Sequence, residues 1–379
     1  MKRVQVGLTA LTAATAVFGQ DCMAAEPARP SSVQIYGVAD VALAHYQTSG
    51  SSGTKMQTGG SGSRIGFFTS EGLSDGWRVN TRLEAGFNMN SGTKSSTGGV
   101  PDRLWSRQAY VELENKALGG VRLGRLQGPT YNFFPKFDPM LVPAMDVWGV
   151  LTTLGAALPG YGSGTGVSSG FLINPTMRTQ NTIAYMSPSW RGLQAEVAYS
   201  FSNGSSVEPA LLEVGLDYRS GPLAVGLLFV HADSTSGAGT VRATKPVSEM
   251  AIGAKYDFGP FNPYVTYIHR NLTDQMVGSD GAALNTNSES VKLVGAVVPV
   301  SSRGNIRITY GRYSSGSPGR DAKSYGLAYT YDVNPRLMLM VAATRLTQQD
   351  KANWPVFQSP RPDAGASVNG VITGMTWRF

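Results

Sequence analysis

The sequence is poor in cysteine, in charge and in long apolar runs. Its 379 residues include one cysteine and three histidines, and charged residues make up only 15% of the chain. Beyond the N-terminal segment no apolar run is long enough to cross a membrane as a helix. One cysteine cannot build a disulfide framework or a cysteine metal site. These absences exclude helical membrane proteins and disulfide-rich secreted domains, and they leave large β proteins as the main class.

The N-terminal 25 residues have the pattern of a secretory signal peptide. Lys2 and Arg3 are basic, an uncharged and mostly apolar run follows, and Met23-Ala24-Ala25 offers a cleavage site with small residues. We therefore expect residues 1–25 to be removed, Cys22 among them. Residues 26–379 are expected to form one domain.

The charge of the remaining chain is moderately basic. Residues 1–25 contain two basic residues and one acidic residue, so the formal net charge falls from +7 to +6 on their removal. The basic residues are scattered singly among glycine, serine, threonine and aromatic residues, whereas nucleic-acid binding usually needs basic patches. A nucleic-acid partner is therefore not expected. A pore interior that favours anions accounts better for the excess of basic residues.

Alternation of apolar and polar residues with period two dominates the rest of the chain. Leu193, Ala195, Val197, Tyr199 and Phe201, for example, alternate with Gln194, Glu196, Ala198 and Ser200. This pattern predicts sixteen strands, near 33–46, 62–70, 76–89, 104–115, 119–126, 177–187, 191–202, 209–220, 222–233, 247–258, 261–272, 287–298, 303–314, 322–332, 336–347 and 368–379.

The connections between these segments alternate in length. Tight connections such as Gly221-Pro222 and Gly259-Pro260 follow one strand, and longer ones rich in glycine, serine and threonine, such as 90–103, follow the next. Short turns at one end and long loops at the other are typical of an up-and-down transmembrane barrel, and a soluble sandwich has no reason to keep that order. The sequence predicts an all-β fold, a 16-stranded antiparallel transmembrane β-barrel.

One connection, 127–176, is much longer than the others and is rich in proline and aromatic residues. A connection of this length inside a compact domain is usually functional or disordered, and the aromatic residues argue against disorder in its first half. It follows the fifth predicted strand.

Several motifs resemble the trimeric general-diffusion porins of Gram-negative outer membranes, particularly those of β-proteobacteria. They are Ser32-Val33-Gln34-Ile35-Tyr36-Gly37-Val38-Ala39-Asp40, Gly62-Ser63-Arg64-Ile65-Gly66-Phe67, Arg82-Leu83-Glu84-Ala85-Gly86-Phe87-Asn88, and Arg107-Gln108-Ala109-Tyr110-Val111 leading to Leu123-Gly124-Arg125, with Phe379 as the last residue. The resemblance implies a bacterial outer-membrane homotrimer, in contact with lipid and lipopolysaccharide, through which small hydrophilic solutes and ions diffuse. It also implies that the long third loop folds into the lumen, and it implies no cofactor.

Strand phase assigns arginines to the interior of this barrel. Ile65 and Phe67 share one face, so Arg64 takes the other, and an arginine facing lipid near the midplane would cost about 2–4 kcal/mol. The predicted basic wall of a pore constriction consists of Arg64, Arg82, Arg107, Arg122 and Arg178. The predicted opposing acids lie on the long loop and are Asp138 and Asp146. Such a transverse field would orient dipolar solutes and favour anions.

Three other functions remain open on the sequence alone. The aromatic long loop allows a substrate-specific channel for a sugar or an aromatic acid. A soluble adhesin or lectin would show similar strands. An outer-membrane enzyme would need a histidine with a serine or aspartate partner, and none of the three histidines stands in a catalytic motif. Catalytic and metal-binding residues are therefore not expected.

Overall fold

The computed structural model describes residues 31–95, 103–140, 178–202, 210–233, 242–243, 247–272, 276–277, 283–284, 288–314, 318–356, 359–360 and 362–379. The predicted signal peptide and Asp146 lie outside these residues. Within them, no helix has the length and apolar character needed to span a membrane.

The described chain is almost entirely strand. Its strands are β1 (Ser32–Gln47), β2 (Ser52–Gln57), β3 (Arg64–Gly72), β4 (Trp77–Gly86), β5 (Gln108–Asn115), β6 (Gly119–Leu126), β7 (Thr179–Met186), β8 (Leu193–Ser200), β9 (Leu211–Ser220), β10 (Leu223–Ala232), β11 (Arg242–Ala243), β12 (Val247–Tyr256), β13 (Asn262–Leu272), β14 (Met276–Val277), β15 (Ala283–Leu284), β16 (Glu289–Pro299), β17 (Gly304–Ser314), β18 (Ala322–Asp332), β19 (Leu337–Gln348) and β20 (Val368–Arg378). One α-helix, α1 (Pro129–Phe137), follows β6, and a single 3-10 turn (Ser74–Gly76) joins β3 to β4.

Sixteen of these strands form a closed antiparallel ring. Each pairs with the next long strand along the chain, and β1 pairs with β20 to close the ring, with Val41 opposite Met375. The predicted 16-stranded barrel is confirmed, and all sixteen predicted segments coincide with its strands. Closure leaves no unpaired edge, which matters in hydrocarbon because each unsatisfied backbone group there costs several kcal/mol.

Four short strands were not predicted. β2 pairs with the second half of β1, where Ala42 lies opposite Gln57, and β11, β14 and β15 form a small separate sheet. The segment of β2 is Ser-Gly-Thr-Lys-Met-Gln, which has no apolar alternation. Its pairing is set by the neighbouring strand and therefore leaves no local pattern to read.

The two faces of the barrel wall differ in composition. Along β18, Tyr325, Leu327 and Tyr329 are exposed, whereas the alternate residues Ser324 and Thr330 are buried. The exposed apolar face is the outer one, because a transmembrane barrel turns apolar residues to lipid, whereas inward side chains are shielded by one another and by the loops. The sequence alternation therefore identifies lipid-facing and lumen-facing residues correctly here.

Helix α1 lies inside the barrel against the inner wall. The ring of Phe137 packs onto Gly226 of β10 and Gly253 of β12, where an added Cβ would approach it to 2.3 Å and 2.4 Å. Phe133 and Phe134 are also buried. The described start of the long connection, 127–140, is thus packed against the inner wall, and the folding of the whole loop into the lumen stays a prediction. Its remainder, 141–176, lies outside the described residues.

A second segment covers part of the inner wall at the long-loop end. After β19, Trp354 is buried with its ring edge-on to Tyr313, the centroids being 6.0 Å apart. The indole Nε1 donates a hydrogen bond of 2.9 Å to the carbonyl oxygen of Arg320. Val356 is buried beside it in the same apolar cluster.

The last residue completes the closure of the ring. Phe379 exchanges two backbone hydrogen bonds with Gly37, of 2.9 Å and 3.1 Å. Its ring covers Gly37 so closely that a Cβ there would lie 2.2 Å from the ring.

We predict that deleting Phe379 lowers the yield of folded barrel, because both hydrogen bonds are lost, at about 0.5–1.5 kcal/mol each. The Phe379→Ala variant keeps these bonds and should fall between the deletion and the wild type. Refolding yield in detergent micelles, measured by the gel shift between unheated and heated samples, tests this. Phe258→Ala, at another exposed phenylalanine, is the matched control, and equal yields for the control and the deletion would contradict the prediction.

Candidate functional site

Glu84 is the centre of a group of polar side chains on the inner face of β4. Its Oε1 lies 2.5 Å from Nε of Arg107, and the Tyr36 hydroxyl donates a 2.7 Å hydrogen bond to its Oε2. Arg64 Nε lies 3.7 Å from the same Oε2. Glu84 and Arg107 are both buried. One carboxylate therefore orients two of the five predicted arginines.

Arg64 and Arg107 reach this group from different strand ends. Arg64 is the first residue of β3, and its Nη1 donates to the carbonyl oxygens of Ser61 and Gly62 at 2.6 Å and 3.0 Å. In the sequence Arg107 is in phase with Ala109, opposite Gln108. It nevertheless points inward, because β5 begins only at Gln108 and the pleat does not fix the direction of the preceding residue.

Arg82 shares the inner face of β4 with Glu84. Its guanidinium carbon lies 5.1 Å from the centre of the Phe68 ring and 5.8 Å from that of Tyr36. Both distances are those of cation–π contacts, which hold a guanidinium without neutralising its charge. Tyr36 thus connects Arg82 to the group around Glu84.

Arg178 is linked to the group around Glu84 by its contact with helix α1. Its guanidinium carbon lies 5.2 Å from the centre of the Tyr131 ring, and its carbonyl oxygen accepts a 3.3 Å hydrogen bond from Arg125. Burial on its own would raise the pKa of the Tyr131 hydroxyl, but Arg107, Arg178 and Arg64 outweigh burial and lower this pKa. The three guanidiniums thus create a local potential that stabilises negative charge at this hydroxyl.

Arg122 lies apart from the other predicted arginines. Its Nε is 2.6 Å from Oε1 of Glu112, and its Nη1 is 3.7 Å from Oε1 of Glu196. Its charge is balanced by these carboxylates near the short-turn ends of β5, β6 and β8. The structure thus groups four of the five arginines, and we call Arg64, Arg82, Arg107 and Arg178 the arginine wall.

Asp138 is the residue that follows α1, and it lies near strands β13 and β17. Its Oδ1 accepts a 2.8 Å hydrogen bond from the backbone of Met140. Residues on either side of it are tied to β13 and β17, since Thr266 donates to the carbonyl oxygen of Phe137 and Arg307 to that of Pro139. The predicted opposition between Asp138 and the arginines stays a hypothesis, and Asp146 lies outside the described residues.

Carboxylates of β8 and β9 anchor α1 to the wall. Glu213, which is fully buried, accepts hydrogen bonds from the backbone N–H and the hydroxyl of Thr130. Asn132 donates to Glu196 at 2.7 Å, and Lys136 lies 2.5 Å from Asp217. A carboxylate at the first turn of a helix binds its free N–H groups and the positive end of its dipole. These contacts fix how far α1 extends into the lumen.

Sequence reasoning missed several of these residues. The strand phase of Glu84 does not identify it as the partner of the arginines, and Tyr131 and Arg307 have no distinguishing pattern in the sequence. The anchoring carboxylate Glu213 is part of the polar alternation of its strand, which gave the only signal that it faces inward. Contacts of this kind, between residues distant in sequence, produce no local sequence pattern.

Among the described residues, no three histidine, cysteine, aspartate or glutamate side chains are arranged to hold a metal ion. The chemistry of the site is that of guanidinium, carboxylate and phenol groups lining a water-accessible interior.

A family model described as Gram-negative porin matches residues 7–351 of the chain. Among curated relatives, an outer membrane porin protein of Bordetella pertussis is 26% identical over 317 residues, which are 73% of this chain and 75% of the relative. Outer membrane porin protein 32 of Delftia acidovorans is 25% identical over 394 residues and aligns over 100% of both chains.

Among solved structures, the fold resembles that of an anion-selective porin from Comamonas acidovorans. The TM-score is 0.74 at 22% sequence identity, and the match covers 92% of this chain and 100% of that one. At this level of identity the likeness establishes the shared barrel architecture.

We predict that Glu213→Ala loosens helix α1. The substitution leaves two donors of Thr130 without a partner, which costs about 1–3 kcal/mol, and should therefore speed amide exchange in α1 by roughly 5- to 150-fold. Hydrogen exchange followed by mass spectrometry measures this in peptides spanning 128–138. Glu71→Ala, at an exposed carboxylate, is the control, and unchanged exchange in the Glu213 variant would show that the helix is held by its aromatic contacts alone.

Proposed function

Because the chain belongs to the Gram-negative porin family, we propose that its arginine wall makes the pore prefer anions. The protein is an outer-membrane channel for passive diffusion of small hydrophilic solutes and ions. The observation that carries the proposal is the cluster of Arg64, Arg107 and Arg178 around Tyr131, in which Glu84 is the ion-pair partner of Arg64 and Arg107. Excess positive charge in a narrow, partly desolvated passage raises the local concentration of anions.

The arginine wall carries an excess of positive charge. Its four guanidiniums carry four positive charges and Glu84 carries one negative charge, which leaves a net charge of three. Arg122 adds nothing to this excess because two carboxylates face it. Asp138 and Asp146 are proposed to face this wall from the long loop and to complete a transverse field.

The alternative of a substrate-specific channel for a sugar or an aromatic acid is less well supported. Such a channel, if it used the aromatic residues of the long loop, would need aromatic faces that a passing solute can contact. Phe133, Phe134 and Phe137 of α1 are each no more than 3% exposed, because they pack on the barrel wall. The aromatic residues of the described part of the loop therefore serve to attach α1.

Assembly and processing complete the proposal. We infer that residues 1–25 are cleaved as a signal peptide and that residues 26–379 form the barrel, which assembles as a homotrimer in contact with lipid and lipopolysaccharide. The outer face supports contact with hydrocarbon or with other copies, since Leu339, Val341 and Met375 are all exposed. Membership of a family of channels further supports a function without catalysis.

We predict that the double variant Arg64→Gln/Arg107→Gln loses much of the anion preference. A unit charge at about 7 Å in water changes the energy of an ion by about 0.6 kcal/mol, which is roughly threefold in ion population. The reversal potential of single channels in a salt gradient measures this preference. Glu84→Gln should shift the potential in the opposite direction, because it removes the neutralising carboxylate.

The control for this experiment is Arg303→Gln. Arg303 is an exposed arginine at a short turn, outside the arginine wall. Its substitution should leave the reversal potential unchanged. A wild-type channel that prefers cations, or equal potentials in the wild type and the double variant, would remove the arginine wall from the selectivity filter.

A further inference from the structure

A second polar region of the lumen lies between α1 and the short-turn ends of the strands. It is a cavity of about 400 Å³, within the range of small-molecule sites. Strands β4, β5, β6, β8 and β9 form its walls, and Gln127, Asn132 and Lys136 cover it from the side of α1. Arg82 is the one member of the arginine wall that lines this space, and the anion preference proposed above assigns no role to the other lining residues.

Charges of both signs line the cavity. The cations are Arg82, Arg122 and Lys136, and the acids are Glu112, Glu114, Glu196 and Asp217. Arg122 is paired with Glu112, and Lys136 with Asp217. Within the described chain, Arg82 and Glu114 have no ion-pair partner. The cavity thus offers one uncommitted charge of each sign.

Four polar atoms of the lining have no hydrogen-bond partner among the described residues. Two are donors, Nε of Arg82 and Nε2 of Gln127, and two are acceptors, Oδ1 of Asn80 and Oε1 of Glu196. Asn80 and Glu196 are both more than nine-tenths buried. Buried polar groups without partners cost free energy, so a solute that pairs with them is bound favourably.

The donors and acceptors lie close enough for one small molecule to reach both. Arg82 and Asn80 are two residues apart on the inner face of β4, so their Cα atoms are about 7 Å apart. Asn80 also donates to Glu112 and Glu114 at 3.0 Å, which keeps its amide group in place. An acceptor region around Asn80, Glu114 and Glu196 therefore adjoins a donor region at Arg82 and Gln127.

We propose that this cavity retains small zwitterionic solutes that carry an ammonium group and a carboxylate, of the size of an amino acid or a dipeptide. The ammonium group binds among Glu114, Glu196 and the Asn80 oxygen, and the carboxylate binds at Arg82 and Gln127. A simple anion leaves Glu114 without a counter-charge, and a simple cation leaves Arg82 without one, so each forgoes one of the two ion pairs that a zwitterion makes. The inference rests on the chain being a channel and is independent of its anion preference.

The test is the block of ion current through the reconstituted protein in planar bilayers near pH 7. The probes are glycylglycine, N-acetylglycine, which lacks the ammonium group, and glycinamide, which lacks the carboxylate. Glycylglycine should reduce the current in a saturable way. The two other solutes should need at least about tenfold higher concentrations, because each forfeits one charge-assisted set of hydrogen bonds.

Two variants test whether the block occurs in this cavity. Glu114→Gln should raise the half-saturating concentration of glycylglycine about tenfold, and Gln127→Leu should raise it without any change in charge. Glu71→Gln is the matched control, since Glu71 is an exposed carboxylate on the neighbouring strand outside the cavity. A gel shift between unheated and heated samples verifies that each variant is folded before its current is recorded.

Three results would overturn the proposal: a current that falls linearly with glycylglycine, equal block by the three solutes, or equal half-saturation in the Glu114→Gln and Glu71→Gln channels. Saturable block in a channel without anion preference would remove the arginine-wall proposal and leave this one. Anion preference without saturable block would remove the cavity proposal and leave the arginine-wall proposal.

Discussion

Closure of the sheet is the constraint on which the rest of the structure depends. A strand in hydrocarbon must pair along both edges, so the first strand has to meet the last, as β1 meets β20. Once the ring is closed, every strand has one face toward lipid and one toward the lumen. The period-two alternation then decides, residue by residue, which side chains the pore contains. Polar side chains of the described strands face the lumen as a consequence of that separation.

The interior is divided between two kinds of charge. Arginines gather on β3, β4 and the segments that flank β5 and β7, whereas carboxylates of β8 and β9 hold α1. Helix α1 lies between the two, with Tyr131 against Arg178 and Lys136 against Asp217. The same helix therefore borders the arginine wall on one side and a cavity lined by charges of both signs on the other. Its attachment to the wall sets the dimensions of both.

The barrel could be predicted from the sequence because strand alternation and turn residues are local signals. Every long strand followed from the alternation, and phase places Arg64 and Arg82 on the inner face. Phase does not account for the predicted inward direction of Arg107, because Arg107 precedes β5 and its direction depends on an ion pair with Glu84 on another strand. The position of Asp138 was equally unpredictable, because it follows from the packing of Phe137 on glycines of β10 and β12. Contacts between residues distant in sequence decided the details of the site.

The folded segment at Trp354 adds apolar bulk to the inner wall at the long-loop end, where it packs on Tyr313. The arginine wall is built from other strands and from the segments that precede β5 and β7. Apolar bulk and positive charge inside the barrel are therefore supplied by separate stretches of chain. A substitution at Trp354 thus acts on the packing of the inner wall without touching an arginine of the wall.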